Sequence, residues 1–353
     1  MEERGRDYFR LILVRSAVLA GILSGIFQVV CAGEFEDGYI AYQKKDYRSA
    51  FFLWERQASL GHAKAQFNIA LMYEKGTGVA QDFGKAARWY GLAAATGHSD
   101  AQYNFGDMLL KGVGLPQDTK RGIEWLTKSA NQGNATAQVV LGSNYSSGER
   151  LPVNLSEALR WYRMAADQGH AFAQFGLAEM FRQGRGVERD SKEAVRLLTL
   201  ASAQGLGMAQ YSLGELYESG EGVSKTDTEA ARWYKLAAEA GVSDAQNAIG
   251  LMYGEGRGIK RDAREALRWL MKAATQGNVK AHVNLSTSYF HGYVTPKDYL
   301  RSAMWLVIAF GGGYKDDVSH GRALMQALGP ESETRPKIEE MAATCISSKY
   351  VRC

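Results

Sequence analysis

Six histidines are the residues of this chain best equipped for proton transfer or metal ligation, because imidazole titrates near neutrality and offers a ligating nitrogen. Their spacing argues against both roles. His62, His98 and His170 each directly follow a glycine, at positions where Asn134 and Asn278 stand elsewhere, so a shared polar turn residue explains them better than catalysis. His282 replaces a glutamine found at equivalent positions, while His291 and His320 follow no pattern. No two histidines have the spacing that sets zinc ligands on one helix face, and the phosphate-cradling G-x-x-x-x-G-K-[ST] is absent. Neither G-x-S-x-G nor S-x-x-K occurs, so the usual activated serines are missing. No metal site and no cofactor are expected.

The elements that carry these residues explain the pattern. Glycine recurs every 36 residues at 61, 97, 133, 169, 205, 241, 277 and 313, and a second ladder at 76, 112, 148, 184, 220, 256 and 292 keeps the same register. Such a period marks stacked supersecondary units rather than one closed globule. Within one unit, Phe67, Ile69, Ala70, Met72 and Tyr73 follow helical spacing, which predicts a helix A from about Ala63 to Lys75. Gly76 and Gly78 break it, Val79 offers an apolar plug, and Asp82 supplies an N-cap for a helix B over about Phe83–Thr96. The equivalent caps are Asp118, Asn154, Asp190, Thr226, Asp262 and Asp298, and Glu157, Glu193, Glu229 and Glu265 complete a capping-box pattern. The G-x-G pairs lead into an acidic cap that repels phosphate, so they read as loop glycines.

Alanines at 65, 101, 137, 173, 209, 245 and 281 let helices approach closely. Trp89, Trp125, Trp161, Trp233, Trp269 and Trp305 fill larger holes between units, as do Tyr73, Tyr145, Phe181, Tyr217, Tyr253 and Tyr289. Arg88, Arg160, Arg196, Arg232 and Arg268 form a ladder on helix B, read as a solvated face of intrahelical pairs.

The pattern A-x-x-x-L-G-x-x-Y-x-x-G-x-G-V, then D, then K/E-A-x-x-W-Y-x-x-A-A-x-x-G resembles the Sel-one-like repeat family, a relative of the tetratricopeptide repeats. Copies begin at Ala65, Ala101, Ala137, Ala173, Ala209, Ala245 and Ala281, with a shortened copy over 38–63. The resemblance covers 38–313 and implies an all-α, right-handed superhelical solenoid of about eight helical hairpins. Residues 314–353 would cap it with two helices, Asp317–Leu328 and Lys337–Ile346, split by Gly329-Pro330. The third copy departs with Arg150 and Pro152 in its loop, the fourth with Leu197-Leu198, and the last with Val294 and Phe310.

Arg4, Arg6, Arg10 and Arg15, followed by the apolar run Ser16–Val30 and then Cys31-Ala32, have the order of a secretory signal over 1–32. An uncleaved membrane anchor is the alternative, interrupted by Arg15. Cleavage removes four arginines against three acids and leaves a net charge of +3 from +4, too weak and dispersed for nucleic acid. In an exported chain Cys345 and Cys353 can form a disulfide, and two thiolates with no nearby histidine cannot fill a zinc site.

By analogy with tetratricopeptide folds, helix A lines a concave binding surface. Its expected ladder is Gln66, Gln102, Gln138, Gln174, Gln210 and Gln246, with Asn68, Asn104 and Asn284 two positions on, able to hydrogen-bond a peptide backbone. The alternative is that these glutamines cap and stabilise neighbouring helices. The reading is an exported, periplasmic adaptor for a protein or peptide, possessing no catalytic group. The competing readings are an envelope hydrolase acting on β-lactams or peptidoglycan, and a secreted host-interaction factor.

Overall fold

The computed structural model describes residues 33–315, 318–328, 331–350 and 353. The signal-like segment and residues 316–317 lie outside the described residues. The described chain is all-helical and divides into two compact units, one up to Ala165 and one from Ala166 onward. Helix α1 is described over residues 33–43. Fifteen helices of 13 residues follow. In the first unit these include α2 (Tyr47–Ser59), α3 (Ala63–Lys75), α4 (Phe83–Ala95), α5 (Ser99–Lys111), α6 (Thr119–Asn131) and α7 (Ala135–Ser147). Helix α8 (Leu155–Asp167) spans the division. The second unit continues with α9 (Ala171–Gln183), α10 (Ser191–Ala203), α11 (Gly207–Ser219), α12 (Asp227–Glu239), α13 (Ser243–Glu255), α14 (Ala263–Thr275), α15 (Val279–His291) and α16 (Tyr299–Gly311). Consecutive helices pack on one another from α2 to α7 and from α9 to α16, while Trp54 joins α2 to Phe35 of α1 and Tyr162 of α8 lies over Gly142 of α7, the arrangement of a hairpin-repeat solenoid.

The caps behave as their chemistry dictates. Asp82, Asp118, Asp190, Asp262 and Asp298 accept from backbone N–H groups in the first turn of helix B, and Asn154 accepts from Glu157 N. Thr226 corrects the sequence reading, since its side chain makes no cap hydrogen bond. The capping-box glutamates also depart from expectation. Each turns forward to the arginine three residues on, Glu157 to Arg160 at 2.8 Å, Glu193 to Arg196 at 2.6 Å, Glu229 to Arg232 at 3.0 Å and Glu265 to Arg268 at 2.6 Å. A guanidinium offers a carboxylate a charge-assisted bond that a backbone N–H does not match.

The two loop glycines have different jobs. Gly76 ends α3 in the left-handed region (φ 68°), with its N–H returned to Met72 O. Two residues on, the constraint is contact: a Cβ on Gly114 or Gly258 would strike the backbone at Phe83 or Asp227, where the previous hairpin's helix B begins. The G-x-G pair therefore joins one hairpin to the one before it.

Stacking rests on columns of small and large side chains. The ladder alanines Ala65, Ala101 and Ala137 are fully buried, as are Ala209, Ala245 and Ala281 in the second unit. In the column one past the tryptophans and Leu197, Tyr90, Leu126, Leu198, Tyr234 and Leu270 are buried almost completely. Tyr234 lies over Gly214, and Tyr162 over Gly142, where a Cβ would crowd the ring. Trp161, Trp269 and Trp305 are buried, whereas Trp89, Trp125 and Trp233 are half-buried, with Lys128 over Trp125 at 4.0 Å and Arg232 over Trp233 at 5.0 Å.

The end of the second unit is covered by α17 (Val318–Leu328) and α18 (Glu331–Ser347), both packed on α16. Helix α18 begins before Pro336, earlier than the expected Lys337, and carries the proline inside its N-terminal part. Cys345 is fully buried and disulfide-bonded to Cys353. The returning tail lays Tyr350 parallel to Trp305, ring centroids 6.0 Å apart, and over His282 at 5.7 Å.

Candidate docking groove

The glutamine ladder is not an exposed binding surface. Gln66, Gln102, Gln138, Gln174, Gln210 and Gln246 are each at most 8% exposed. Five of the six give their amides to the preceding helix B. The carbonyl of Ala58 accepts the N–H of turn residue Gly61, and Gln66 Nε2 fills its second lone pair at 3.0 Å. Gln102 does the same for Ala94 at 3.1 Å, Gln138 for Ala130 at 2.9 Å, Gln210 for Ser202 at 3.4 Å and Gln246 for Ala238 at 3.1 Å. These carbonyls belong to a last helical turn that the next hairpin seals from water, so a side chain must satisfy them. His282 fills the position with its Nε2 3.1 Å from Ala274 O.

The asparagines divide. Asn284 Nδ2 donates to Asn247 Oδ1 at 2.7 Å, and Asn104 is engaged by the Tyr90 hydroxyl. Asn68 is half-buried, and its side-chain amide makes no hydrogen bond to another described residue. It lines an open groove of about 420 Å³ in the first unit. The walls come from α1 (Phe35, Tyr39, Tyr42), from Trp54 of α2 and from Phe67 and Leu71 of α3. Glu36, Lys64 and Asp100 form a charged rim, and all three are exposed.

Two histidines hold this groove. His62 and His98 are the N-cap residues of α3 and α5, and their Nδ1 atoms accept from Ala65 N at 3.2 Å and Ala101 N at 3.3 Å. The His98 ring stacks on Phe67 at 4.8 Å and that of His62 packs on Phe35 at the same distance. Burial, helped by Lys64, pushes both imidazoles below their usual value, while Asp100 partly opposes this at His98. Asn134 and Asn278 cap α7 and α15 in the same way, which identifies the shared turn role. His170 occupies the position without a cap hydrogen bond.

The second unit carries a polar cleft of about 340 Å³. Its charges are largely spent on each other. Arg257 reaches Glu218 at 2.6 Å, Asp227 at 3.4 Å and Glu255 at 3.2 Å. Tyr234 donates to Glu218 at 2.6 Å. Burial works against the Glu218 carboxylate, but the bonds from Tyr234 and Arg257 outweigh it and hold its pKa down. Burial and Glu218 together push the Tyr234 hydroxyl far up, so it remains a donor. Among the described residues no cluster of three or more His, Cys, Asp or Glu side chains has metal-holding geometry. No described helix is long and apolar enough to cross a membrane.

Asn68 was named from the sequence, but the apolar groove residues were missed because the sequence reading assigned the apolar positions of helix A to packing. A signal was present. The position two after the ladder alanine is aromatic in Phe67, Tyr103, Phe175 and Tyr211, and all four are only half-buried.

Comparison with known proteins agrees with this geometry. The Sel1 repeat model matches eight consecutive segments, 33–62, 63–98, 99–134, 135–170, 171–206, 207–242, 243–278 and 279–313, so the first copy reaches back into α1. A Sel1 repeat protein from Oxalobacter formigenes is 30% identical, with a TM-score of 0.64 over 68% of this chain and 96% of its own. A protective antigen of uropathogenic Escherichia coli strains, which displays an SLR fold, matches 91% of this chain and 87% of its own at 23% identity and a TM-score of 0.52. Protein sel-1 homolog 2 of Rattus norvegicus is 42% identical over 77 residues, which are 21% of this chain and 11% of that protein.

Proposed function

The chain belongs to the Sel1 repeat family, and on that premise we propose that it is an exported scaffold whose first unit docks a segment of a partner protein in the groove between α1 and α3. Sel1 repeat proteins are typically non-catalytic and mediate protein–protein interactions. The observation that carries the reading is the combination in one groove of apolar walls and an unspent amide. Tyr39 remains 49% exposed, and Asn68 can give and receive a hydrogen bond along a peptide backbone. The rim charges Glu36, Lys64 and Asp100 would set the register of a docked segment.

Residues 1–32 support export, since a basic start, an apolar run and small residues before Gly33 have the order of a secretory signal. A periplasmic adaptor that assembles complexes or restrains envelope signalling proteins fits both features. Crosslinking in the native organism, followed by mass spectrometry, tests the docking claim. A photo-crosslinker at Tyr39 should recover a specific protein, and Leu71→Asp in the same chain should abolish that product. Recovery that is indifferent to Leu71→Asp, in a variant with wild-type helicity, would sink the assignment to this groove. Cell fractionation tests export separately.

A further inference from the structure

We propose that the first-unit groove is pH-gated: His62 and His98 hold its aromatic walls in place only while their imidazoles are neutral. This rests on the docking assignment for its use but is tested without a partner. Each Nδ1 is an acceptor for a backbone N–H, and a protonated imidazole has no lone pair to accept with. Each ring also touches a groove wall, His62 at Phe35 and His98 at Phe67. A proton therefore removes the cap of α3 or α5 and disturbs the wall in one step.

The repeats supply their own control. Asn134 and Asn278 make the same cap bond to Ala137 and Ala281 with a side chain that does not titrate. An asparagine thus satisfies the geometry of the position, and the cap bonds formed by histidine are those beside the groove. The charged groups facing the rings are Lys64 on α3, which favours the neutral form of both, and Asp100 on α5, which favours protonation of His98. Glu36 of α1 lies on the same rim as His98, and Glu34 of α1 is tied to Arg56 and Gln57 of α2. A segment seated in the groove would strip water from the rings and favour neutrality further. By linkage, acidification must then weaken its binding.

The experiment is amide hydrogen exchange on the full chain between about pH 7.5 and pH 5, corrected for intrinsic rates, with 1-anilinonaphthalene-8-sulfonate fluorescence as a second report on the apolar walls. Protection at Ala65 and Ala101 should fall about fivefold on acidification, the worth of one N-cap, while Ala137 and Ala281 hold theirs. The double variant His62→Asn, His98→Asn should keep protection at Ala65 and Ala101 across the range and flatten the dye response. Equal pH dependence at Ala101 and Ala137, or a dye response unchanged in the double variant, would overturn the gate. Either outcome leaves the crosslinking result untouched.

Discussion

The side-chain amide of Gln276, at the end of α14, donates to that of Gln246 on α13 of the same repeat at 2.8 Å, while Gln246 itself donates to Ala238 O at 3.1 Å. The same relay joins Gln204 to Gln174 and Gln132 to Gln102. Where the residue ending helix B is Thr96 or Ala240 instead of glutamine, the ladder oxygens of Gln66 and Gln210 are left without a partner. Ala240→Gln should therefore stabilise the protein, by about 0.5–1.5 kcal/mol for one net hydrogen bond. Gln246→Ala should destabilise it by about 1–3 kcal/mol, because it under-satisfies a buried carbonyl and leaves the Gln276 amide short of an acceptor. Urea unfolding midpoints of the two variants check both signs.

This relay marks the boundary of what one sequence discloses. The 36-residue glycine ladders, the alanine columns and the aspartate caps fixed the hairpin and its period, because each answers to local backbone geometry. The ladder of Gln66 and its equivalents was equally visible, yet whether it faces solvent or seals a carbonyl depends on where the next hairpin sits, and sequence periodicity is the same in both cases. Among the groove residues, Asn68 was named from the sequence and Tyr39 was not. Asn68, Asn104 and Asn284 share a register position, and only the neighbours Tyr90 and Asn247 decide which amide remains unspent.

The second loop glycine should be far less replaceable than the glycine ending helix B. Gly277 has φ 78° but open space around its missing Cβ, so Gly277→Ala should cost only the left-handed backbone penalty, about 1–2 kcal/mol. Gly258 has φ 68° and also abuts Asp227 backbone. Gly258→Ala should cost clearly more and loosen the contact between the α13–α14 loop and the start of α12 in the preceding hairpin. Equal thermal shifts for the two variants would refute the close-approach account of the G-x-G loop.

The C-terminal ring from Cys345 to Cys353 should stabilise the last hairpin through its hold on Tyr350. Reduction, or Cys353→Ser, should lower stability by about 2–3 kcal/mol, the loop-closure worth of a short ring. Tyr350→Ala with the disulfide intact should reproduce part of this, since the ring stacks on Trp305 and His282. Chemical unfolding followed by tryptophan fluorescence reads both. If Tyr350→Ala is silent while reduction is not, the effect lies in the chain constraint alone.

Stability should fall as the medium is acidified below pH 6.5. The pKa values of His62, His98 and His282 are all lowered in the folded chain, with burial as the leading cause each time. Below 6.5, the ordinary value for an imidazole, the unfolded chain takes up protons that the folded chain resists, so unfolding is drawn forward. The loss begins near that value, grows until each folded imidazole titrates at its lower pKa, and is absent above it. His282→Gln isolates one contribution, because glutamine is the ladder residue elsewhere and can keep the bond to Ala274 O without a titrating ring. Urea midpoints measured from about pH 8 to pH 5 should show a shallower acid decline in this variant than in the wild type. A decline of the same depth in both would show that the His282 ring, packed against both Trp305 and Tyr350, bears none of the pH dependence.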